Sequence, residues 1–212
     1  MPEKNAEREE FLQTLGVSRE AINKFDRYAE MLFEWNQKFN LVAKSTLEHT
    51  WRRHFLDSAQ LIKLIPKDVR VLVDLGSGAG FPGLVLSLLG TPEVHLIEST
   101  GKKVGFLRSV SEELKLNVII HQMRVESVIN LKADVVTARA LKPLPELLNL
   151  VMPFMKRHTL GLFLKGQQVE DELTEATQYW RFACEKIASL SDPYGIVLKI
   201  TDLKNKGGSQ KL

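Results

Sequence analysis

The stretch VLVDLGSGAGFPGLVLSLL, residues 71–89, decides the fold of this chain. It opens with an apolar run that ends in a carboxylate, continues with four glycines in eight residues, and closes with a second apolar run. A buried strand, a tight loop and the first turns of a helix fit these three parts in order. Because glycine lacks a Cβ atom, such a loop turns sharply and lets a ligand lie against bare backbone at the start of the helix.

Two glycine fingerprints overlap in this loop. Gly76, Gly78 and Gly80 form a GxGxG pattern behind an acidic residue, which is typical of loops that hold S-adenosylmethionine. Gly78, Gly80 and Gly83 form a GxGxxG pattern, which is associated with dinucleotides. Since both ligands need close approach to the backbone, the glycines alone do not distinguish them.

Charge distinguishes the two ligands better than the glycines do. Asp74 ends the predicted strand, where a carboxylate would repel a pyrophosphate and attract the sulfonium and ammonium groups of S-adenosylmethionine. A dinucleotide loop beginning at Gly78 would also force the strand through Gly76 and Ser77, which are poor strand residues. We therefore predict an S-adenosylmethionine loop whose contacts include Asp74, Gly76, Ser77 and Gly78.

Strand-like runs alternate with helix-like segments from residue 69 onward. We predict strands at 71–75, 94–98, 118–122, 134–140 and 160–166, and helices from residue 82 and over 101–116, 144–156 and 170–182. Two late strands, 185–190 and 196–201, are separated only by the turn SDPYG and should pair antiparallel. The sequence thus predicts an α/β, Rossmann-like class I methyltransferase fold, a mostly parallel seven-stranded sheet with a closing antiparallel strand.

N-terminal helices are predicted to precede this sheet. Ser18 is a candidate N-cap, and apolar residues follow it at helical spacing: Ile22, Phe25, Ala29, Leu32 and Phe33. A second helix begins near residue 47, carries Trp51, Phe55, Ala59 and Ile62 on one side, and ends at Pro66. We predict a helical region over 1–66, an S-adenosylmethionine-dependent methyltransferase domain over 67–204 and a flexible tail over 205–212.

Composition narrows the class of protein. The 212 residues are 44% hydrophobic and 26% charged, and no apolar run approaches the roughly 20 residues that cross a bilayer. A charged N-terminus without a signal-like apolar run and a single cysteine, Cys184, predict a cytoplasmic protein without disulfides. Residues 38–70 carry seven Lys or Arg against three Asp or Glu, which fits either a nucleic-acid contact or an ordinary solvated helix.

Two further stretches are expected to contact an adenosine. Glu98 ends the second predicted strand, where a carboxylate accepts hydrogen bonds from both ribose hydroxyls. The segment RVES, residues 124–127, follows the third strand and is placed to touch the adenine. Both ligand classes share these contacts, so they support an adenosine without choosing between the two.

The methyl acceptor is approached by elimination. The segment TARALKP, residues 137–143, lacks the Asn/Asp-Pro-Pro-aromatic motif of exocyclic-amine methyltransferases, and Cys184 lies too late to be a nucleophile and is better explained as a small core residue. No hydrolase triad or metal-ligand spacing is present in the sequence. Arg139 and Lys165 remain near the sheet edge, and neither cation is a base. Guanine N7 needs no base, and arginine suits the O6/N7 edge of guanine.

Ordinary structural roles compete with each of these assignments. Arg139 could be a strand-end arginine paired with an acidic neighbour such as Glu126, and Lys165 could be a solvated lysine. Arg53 and Asp57 stand at i and i+4, the spacing of a helical ion pair. His54 could be a buried histidine beneath the sheet edge.

Several stretches together resemble one family. They are WNQKFNLVAKS at 35–45, RRHFLDS at 52–58, the 71–89 loop, IESTGKKVGFLRSV at 97–110, RVES at 124–127, TARAL at 137–141 and FLKGQ at 163–167. Their order resembles that of the RsmG (GidB) family of bacterial 16S ribosomal RNA guanine-N7 methyltransferases. The phrase GSGAGFPG together with RHFLDS upstream carries most of the specificity.

The resemblance implies a reaction and a set of site residues. The reaction is direct in-line transfer of a methyl group from S-adenosyl-L-methionine to guanine N7 in the 530 loop, leaving S-adenosyl-L-homocysteine. The implied cofactor contacts are Gly76, Phe81, Val125, Glu126 and Arg139. Arg124 and Arg139 are the implied pair for turnover, and the implied RNA contacts are Arg52, Arg53, His54, Lys102, Lys103 and Lys165.

The expected partner is 16S ribosomal RNA or the small ribosomal subunit, with no metal and no membrane, and nothing in the sequence demands more than a monomer. The competing hypotheses are a methyltransferase for a different RNA or a small molecule, and an RNA-binding module that keeps its cofactor only for stability. A third hypothesis, that the protein is a dehydrogenase, requires it to bind NAD more tightly than S-adenosylmethionine.

Overall fold

A computed structural model describes residues 2–207 of the chain. Its centre is a seven-stranded sheet in the order β3-β2-β1-β4-β5-β7-β6. The strands are β1 Val71–Leu75, β2 Glu93–Ile97, β3 Val118–His121, β4 Val135–Arg139, β5 Leu160–Lys165, β6 Trp180–Ala188 and β7 Ile196–Asn205. The first five pair in parallel, and β7 pairs antiparallel with both β5 and β6. The predicted fold class is therefore confirmed.

Eight α-helices surround the sheet in the described part of the chain. They are α1 Pro2–Leu15, α2 Arg19–Asn36, α3 Lys44–Leu47, α4 Asp57–Ala59, α5 Gly83–Leu88, α6 Gly101–Glu113, α7 Leu144–Val151 and α8 Val169–Tyr179. None of the helices within residues 2–207 is both long and apolar enough to cross a membrane.

The first long helix follows its sequence pattern closely. Ser18 caps α2, because its Oγ accepts a hydrogen bond from the Ala21 amide at 3.2 Å. The buried face of α2 includes Ile22 and Phe25, as the helical spacing predicts. Phe33 was placed on the same stripe, but 52% of its surface is exposed, so that assignment is wrong.

The second predicted helix is broken into short pieces. A π-helical turn, Trp51–Leu56, leads into α4 and then into a 3-10 turn, Gln60–Leu64. The wider π turn changes the angular relation between Arg53 and Asp57. The predicted i,i+4 pair between them is not the contact formed: Arg53 bonds Asp192, and Asp57 bonds Arg139.

The two faces of the sheet carry separate apolar clusters. On one face, side chains of α2, the π-helical turn, α5 and α6 pack against the sheet, including Phe25, Phe55, Leu84 and Phe106 around Leu72. On the other face, α7 and α8 pack against Val73, Leu75 and their neighbours. Because alternate residues of β1 point to opposite faces, Leu72 and Asp74 share a face, and this is the face on which α2 and the π-helical turn share a core with the sheet.

The closing hairpin is longer than predicted. The last helix ends at Tyr179 rather than near 182, and β6 starts at once with the buried Trp180. As the edge strand, β6 exposes most of its residues, so its polar pattern resembles a helix surface. For the same reason Cys184 is exposed, and its interpretation as a small core residue is wrong. β7 runs to Asn205, inside the predicted tail, and residues 208–212 lie outside the described part.

Candidate active site

Two cavities lie at the carboxyl edge of the parallel strands. The small cavity, of about 300 Å³, is lined by Gly76, Glu98 and residues 123–126. The large cleft, of about 690 Å³, is lined by residues from the π-helical turn, the ends of β4 and β5 and the β6–β7 turn. Both are lined by residues 140–142, which follow β4. The two cavities therefore adjoin along a single segment of chain.

The glycine loop forms the floor of the small cavity. Gly76 has a φ of 66°, a conformation that favours glycine. A Cβ atom at Gly76 would lie 2.6 Å from Leu141 Cδ1, so the Leu141 side chain would have to move to make room for it. The positive φ therefore favours glycine at this position, in agreement with the sequence pattern.

Asp74 lies beneath this loop and not in either cavity. The side chain is fully buried, Oδ1 accepts a hydrogen bond from Thr137 Oγ1 at 2.8 Å, and Oδ2 accepts one from the Gly83 amide at 3.2 Å. Burial raises the pKa of Asp74 to about 6, although these hydrogen bonds oppose the rise. In this structure the carboxylate caps the start of α5 and ties β1 to β4, and its direct contact with a ligand stays a prediction.

Three other predicted loop contacts also face inward. Ser77 is buried, and its Oγ donates to the Asp74 carbonyl at 3.1 Å. The Gly78 amide donates to Glu98 Oε2 at 3.0 Å. Phe81 is 3% exposed and lines neither cavity. These contacts stabilise the conformation of the loop.

Glu98 holds the loop and faces the small cavity. Its Oε1 accepts a hydrogen bond from the Thr100 amide at 2.7 Å, opposite the bond that Oε2 accepts from Gly78. Each carboxylate oxygen can accept a further hydrogen bond. Glu98 thus combines a fixed position with spare acceptor capacity at the cavity wall.

The segment after β3 forms the facing wall. Arg124, Val125 and Glu126 all line the small cavity, as the RVES prediction requires. Lys103 lines it too, although it was predicted to contact RNA. Apolar side chains complete the wall, including Ile97, Met123 and Leu150. The result is a small cavity with apolar surface, two carboxylates, Glu98 and Glu126, and three cations, Lys103, Arg124 and Lys142.

Arg139 lies in the large cleft and donates hydrogen bonds to three acceptors, two in the π-helical turn and one in the residue directly after it. Its Nη1 donates to the Arg53 carbonyl at 2.9 Å and to Asp57 Oδ2 at 3.2 Å, and its Nη2 lies 3.1 Å from His54 Nδ1. The guanidinium carbon also lies 4.9 Å from the centroid of the Phe81 ring. Arg139 therefore pairs with Asp57 and not with Glu126. Arg124 lies in the other cavity.

His54 is a neutral, buried link in a hydrogen-bond chain. Burial lowers the pKa of His54 to about 3, with the charges of Arg139 and Arg53 adding to the effect. Because arginine only donates, His54 Nδ1 must accept from Arg139, and Nε2–H must donate to Thr46 Oγ1 at 2.8 Å. The imidazole also stacks on Phe81 with centroids 4.8 Å apart. A neutral imidazole held in this way offers a phosphate no positive charge, and the RNA contact of His54 stays a prediction.

The other predicted RNA cations are largely paired with carboxylates. Arg53 Nη1 lies 2.6 Å from Asp192 Oδ2, and Arg52 donates to the Ser191 carbonyl at 3.1 Å. The Lys165 side chain is only 9% exposed and bonds Glu172 Oε2 and the Lys142 carbonyl, each at 2.7 Å, so it is not the solvated lysine of the alternative interpretation. Lys102 is exposed, with its ammonium 5.2 Å from the centroid of the Phe39 ring.

Sequence reasoning missed the residues that organise the large cleft. Asp57 joins three elements, since its Oδ2 bonds Arg139 while its Oδ1 accepts from Ser191 Oγ at 2.6 Å. Gln60 accepts from the Leu190 amide at 2.8 Å and donates to Ser189 Oγ at 3.1 Å. The contacts of Asp57 and Gln60 with residues 189–191 join positions about 130 residues apart in sequence, and no local sequence pattern predicts such contacts.

The fold of this chain is the Rossmann-like fold of class I methyltransferases. The same fold, at 12% identity, occurs in a putative O-methyltransferase from Klebsiella pneumoniae, with a TM-score of 0.63 over 92% of this chain and 96% of that one. It also occurs in TYW2 of M. jannaschii, solved in complex with AdoMet, at 18% identity and a TM-score of 0.54 over 71% of this chain and 76% of that one.

Sequence comparison identifies the family within this class. Residues 21–192 match the family described as rRNA small subunit methyltransferase G. The chain is also 48% identical over 195 residues to the ribosomal RNA small subunit methyltransferase G of Rhodospirillum rubrum, covering 92% of this chain and 97% of that protein. The chain belongs to the rRNA small subunit methyltransferase G family, as its motifs predict.

Proposed function

We propose that this protein transfers a methyl group from S-adenosyl-L-methionine to N7 of a guanine in the 530 loop of 16S ribosomal RNA. Transfer is by direct in-line displacement. Family membership supports the ribosomal RNA substrate. The guanine and its N7 atom rest on the geometry of the large cleft.

One observation carries the choice of N7: the acid–base side chains that line the large cleft are already engaged. His54 accepts from Arg139, and Asp57 bonds Arg139 and Ser191. Glu172 bonds Lys165 and the Leu144 amide, and Asp192 bonds Arg53 and the Tyr194 amide. An exocyclic amine or a hydroxyl has to lose a proton during methylation, so it needs a base. Guanine N7 carries a free lone pair and needs only alignment.

Arg139 is the donor suited to that alignment. Its side chain is 18% exposed at the cleft, and its orientation is fixed by Asp57, His54 and the Arg53 carbonyl. An arginine can donate to the O6 and N7 acceptors of guanine, and a contact to O6 would orient the base while N7 stays free to react. A pre-oriented donor spends little binding energy on its own ordering. Arg139 is accordingly proposed to set the angle of the base.

The small cavity fits S-adenosylmethionine. Bare backbone at Gly76 suits the amino-acid chain of the cofactor. The carboxylate of Glu98 suits its ribose. The adenine is suited by an apolar surface made of Met123, Val125 and Leu150. When bound, the cofactor supplies a methyl group on a positively charged sulfur. Gly76, Glu98, Val125 and Glu126 are the residues proposed to hold it, with Arg124 beside them.

Methylation mapping tests the proposal. A strain lacking this gene is compared with its parent, and 16S ribosomal RNA from each is treated with borohydride and aniline and read by primer extension. We expect the N7-methylguanine stop in the 530 loop to disappear and to return with the wild-type gene but not with Arg139→Ala. An unchanged stop would refute the proposal. Turnover on a small molecule without RNA would favour the alternative methyltransferase.

A further inference from the structure

The turn between β6 and β7, residues 189–195, forms one wall of the large cleft. Ser191, Asp192 and Gly195 line the cleft. Between the last two lies Tyr194, with 66% of its surface exposed. An exposed aromatic residue therefore lies in the turn that walls the cavity proposed to receive the target base, between residues that line it.

Hydrogen bonds within the turn fix the backbone of Tyr194. The Tyr194 amide donates to Asp192 Oδ1 at 2.9 Å, and the Gly195 amide donates to the Asp192 carbonyl at 3.0 Å. The Ser189 amide closes the turn on the Gly195 carbonyl at 2.9 Å. The ring is thus carried by an ordered turn and not by a loose loop.

Contacts to the π-helical turn and its flank fix this β6–β7 turn in space. Arg53 bonds Asp192 at 2.6 Å, and Ser191 bonds Asp57, the residue that also holds Arg139. Gln60 bonds the Leu190 amide at 2.8 Å. The position of Tyr194 is thereby set relative to Arg139 by a continuous set of hydrogen bonds.

We propose that Tyr194 stacks on an unpaired base of single-stranded RNA, next to the nucleotide that enters the large cleft. This inference rests on the proposed function, which brings RNA to the cleft. Stacking suits this position because every base presents a flat π-face, and a ring on an ordered turn loses less entropy on binding than one on a mobile loop.

The charges around the turn favour a base over a phosphate. Each cation of the wall has an acidic partner, as in the pairs Arg53–Asp192, Arg139–Asp57 and Lys165–Glu172. The wall therefore offers a phosphate little uncompensated positive charge, while the exposed ring of Tyr194 offers an apolar surface. Bases inside a duplex are already stacked on both faces, so the ring selects single-stranded RNA.

Three variants test the stacking contact. Tyr194→Ala removes the ring, Tyr194→Phe keeps it, and Tyr179→Ala is the matched control. Tyr179 is 43% exposed at the end of α8, where β6 starts, and so lies at the end of the hairpin opposite the turn. The affinity for a 16S RNA transcript is measured at one fixed salt concentration, together with KM for RNA and kcat.

We expect Tyr194→Ala to weaken RNA binding about tenfold and to raise KM for RNA equally, with kcat at saturating RNA and the affinity for S-adenosylmethionine within twofold of wild type. Tyr194→Phe and Tyr179→Ala should bind RNA within twofold of wild type. Thermal melting checks that all three variants fold.

The possible failures are distinguishable. Wild-type binding by Tyr194→Ala overturns the stacking proposal, as does a Tyr194→Phe variant as weak as Tyr194→Ala, which would assign the effect to the hydroxyl. A wild-type protein that binds RNA without methylating it refutes the proposed function but leaves the stacking contact measurable. If wild-type protein binds neither the transcript nor the small ribosomal subunit, both proposals fail.

Discussion

The small cavity and the large cleft are held together by different interactions. In the small cavity, Glu98 fixes the loop through the amides of Gly78 and Thr100, and it keeps acceptor capacity for a ligand. In the large cleft, the charges of Arg139 and Arg53 are neutralised by ion pairs with Asp57 and Asp192. The first arrangement suits binding through open polar groups. The second suits alignment of a neutral base by a donor that cannot move freely.

Removing the aligned donor should have the largest effect. We expect Arg139→Ala to lower kcat by roughly a hundredfold or more, the loss typical of a fixed donor at a reacting centre, with S-adenosylmethionine affinity within a few-fold of wild type. Transfer of a radiolabelled methyl group to 16S ribosomal RNA gives kcat, and calorimetric titration gives the affinity.

The control for this variant is Arg157→Ala, because Arg157 is exposed in the turn before β5, at the opposite edge of the sheet. It should turn over like wild type. If Arg139→Ala lost only cofactor affinity and kept its kcat, Arg139 would serve the small cavity and the contrast between the two sites would fail.

Removing the charge of Glu98 should lower the affinity of the small cavity for S-adenosylmethionine and leave turnover nearly unchanged. Glu98→Gln removes the charge that accepts from Gly78 and Thr100, and charge-assisted hydrogen bonds are about twice as strong as neutral ones. We expect the Kd for S-adenosylmethionine to rise about thirtyfold, with kcat at saturating cofactor within threefold of wild type. Calorimetric titration and a cofactor series at fixed RNA measure the two quantities.

Glu93→Gln is the matched control, since Glu93 lies at the other end of β2 and contacts His95. It should leave the affinity for S-adenosylmethionine unchanged. If both variants lost the same S-adenosylmethionine affinity, the cause would be general destabilisation of β2 and not a contact in the small cavity.

Freeing Arg139 without removing it should have an intermediate effect. Asp57→Asn keeps the size of the side chain but removes the charge that holds Arg139. We expect kcat to fall about tenfold, with the cofactor affinity unchanged and the RNA affinity within twofold, because the guanidinium remains but is less strictly oriented. Asp57→Glu should recover part of the loss.

Asp192→Asn is the control for Asp57→Asn, because Asp192 also pairs with an arginine at the cleft but does not hold Arg139. Its kcat should stay within twofold of wild type. A similar fall in both variants would mean that the effect comes from the β6–β7 turn and not from the orientation of Arg139.

The same contrast explains what the sequence could and could not predict. The loop at Gly76, the carboxylate of Glu98 and the segment 124–126 each follow a strand end at short range, and β-strand periodicity located those ends. The partner of Arg139 lies 82 residues away, and that of Arg53 lies 139 residues away. The inward turn of Asp74 was also missed, because its partners Thr137 and Gly83 become neighbours only after folding.

The smallest effect should come from the pH dependence of stability at His54. The pKa of His54 is about 3 in the folded protein, against an ordinary value of 6.5, chiefly because of burial. Between these values the unfolded chain binds more protons, so the stability contributed by neutral His54 is complete above pH 6.5 and declines as the pH falls toward 3. Asp74, with a raised pKa of about 6, acts in the opposite direction below pH 6.

Comparing wild type with His54→Gln isolates this contribution, because Asp74 is present in both proteins and its effect cancels. We expect the Tm of wild type to exceed that of His54→Gln by several degrees at pH 7.5, and the gap to narrow steadily by pH 4.5. His158→Gln, at an exposed position in the turn before β5, should show a constant difference over the same range. A constant gap for His54→Gln would mean that this imidazole titrates alike in the folded and unfolded chains. The buried, neutral link between Arg139 and Thr46 would then be wrong.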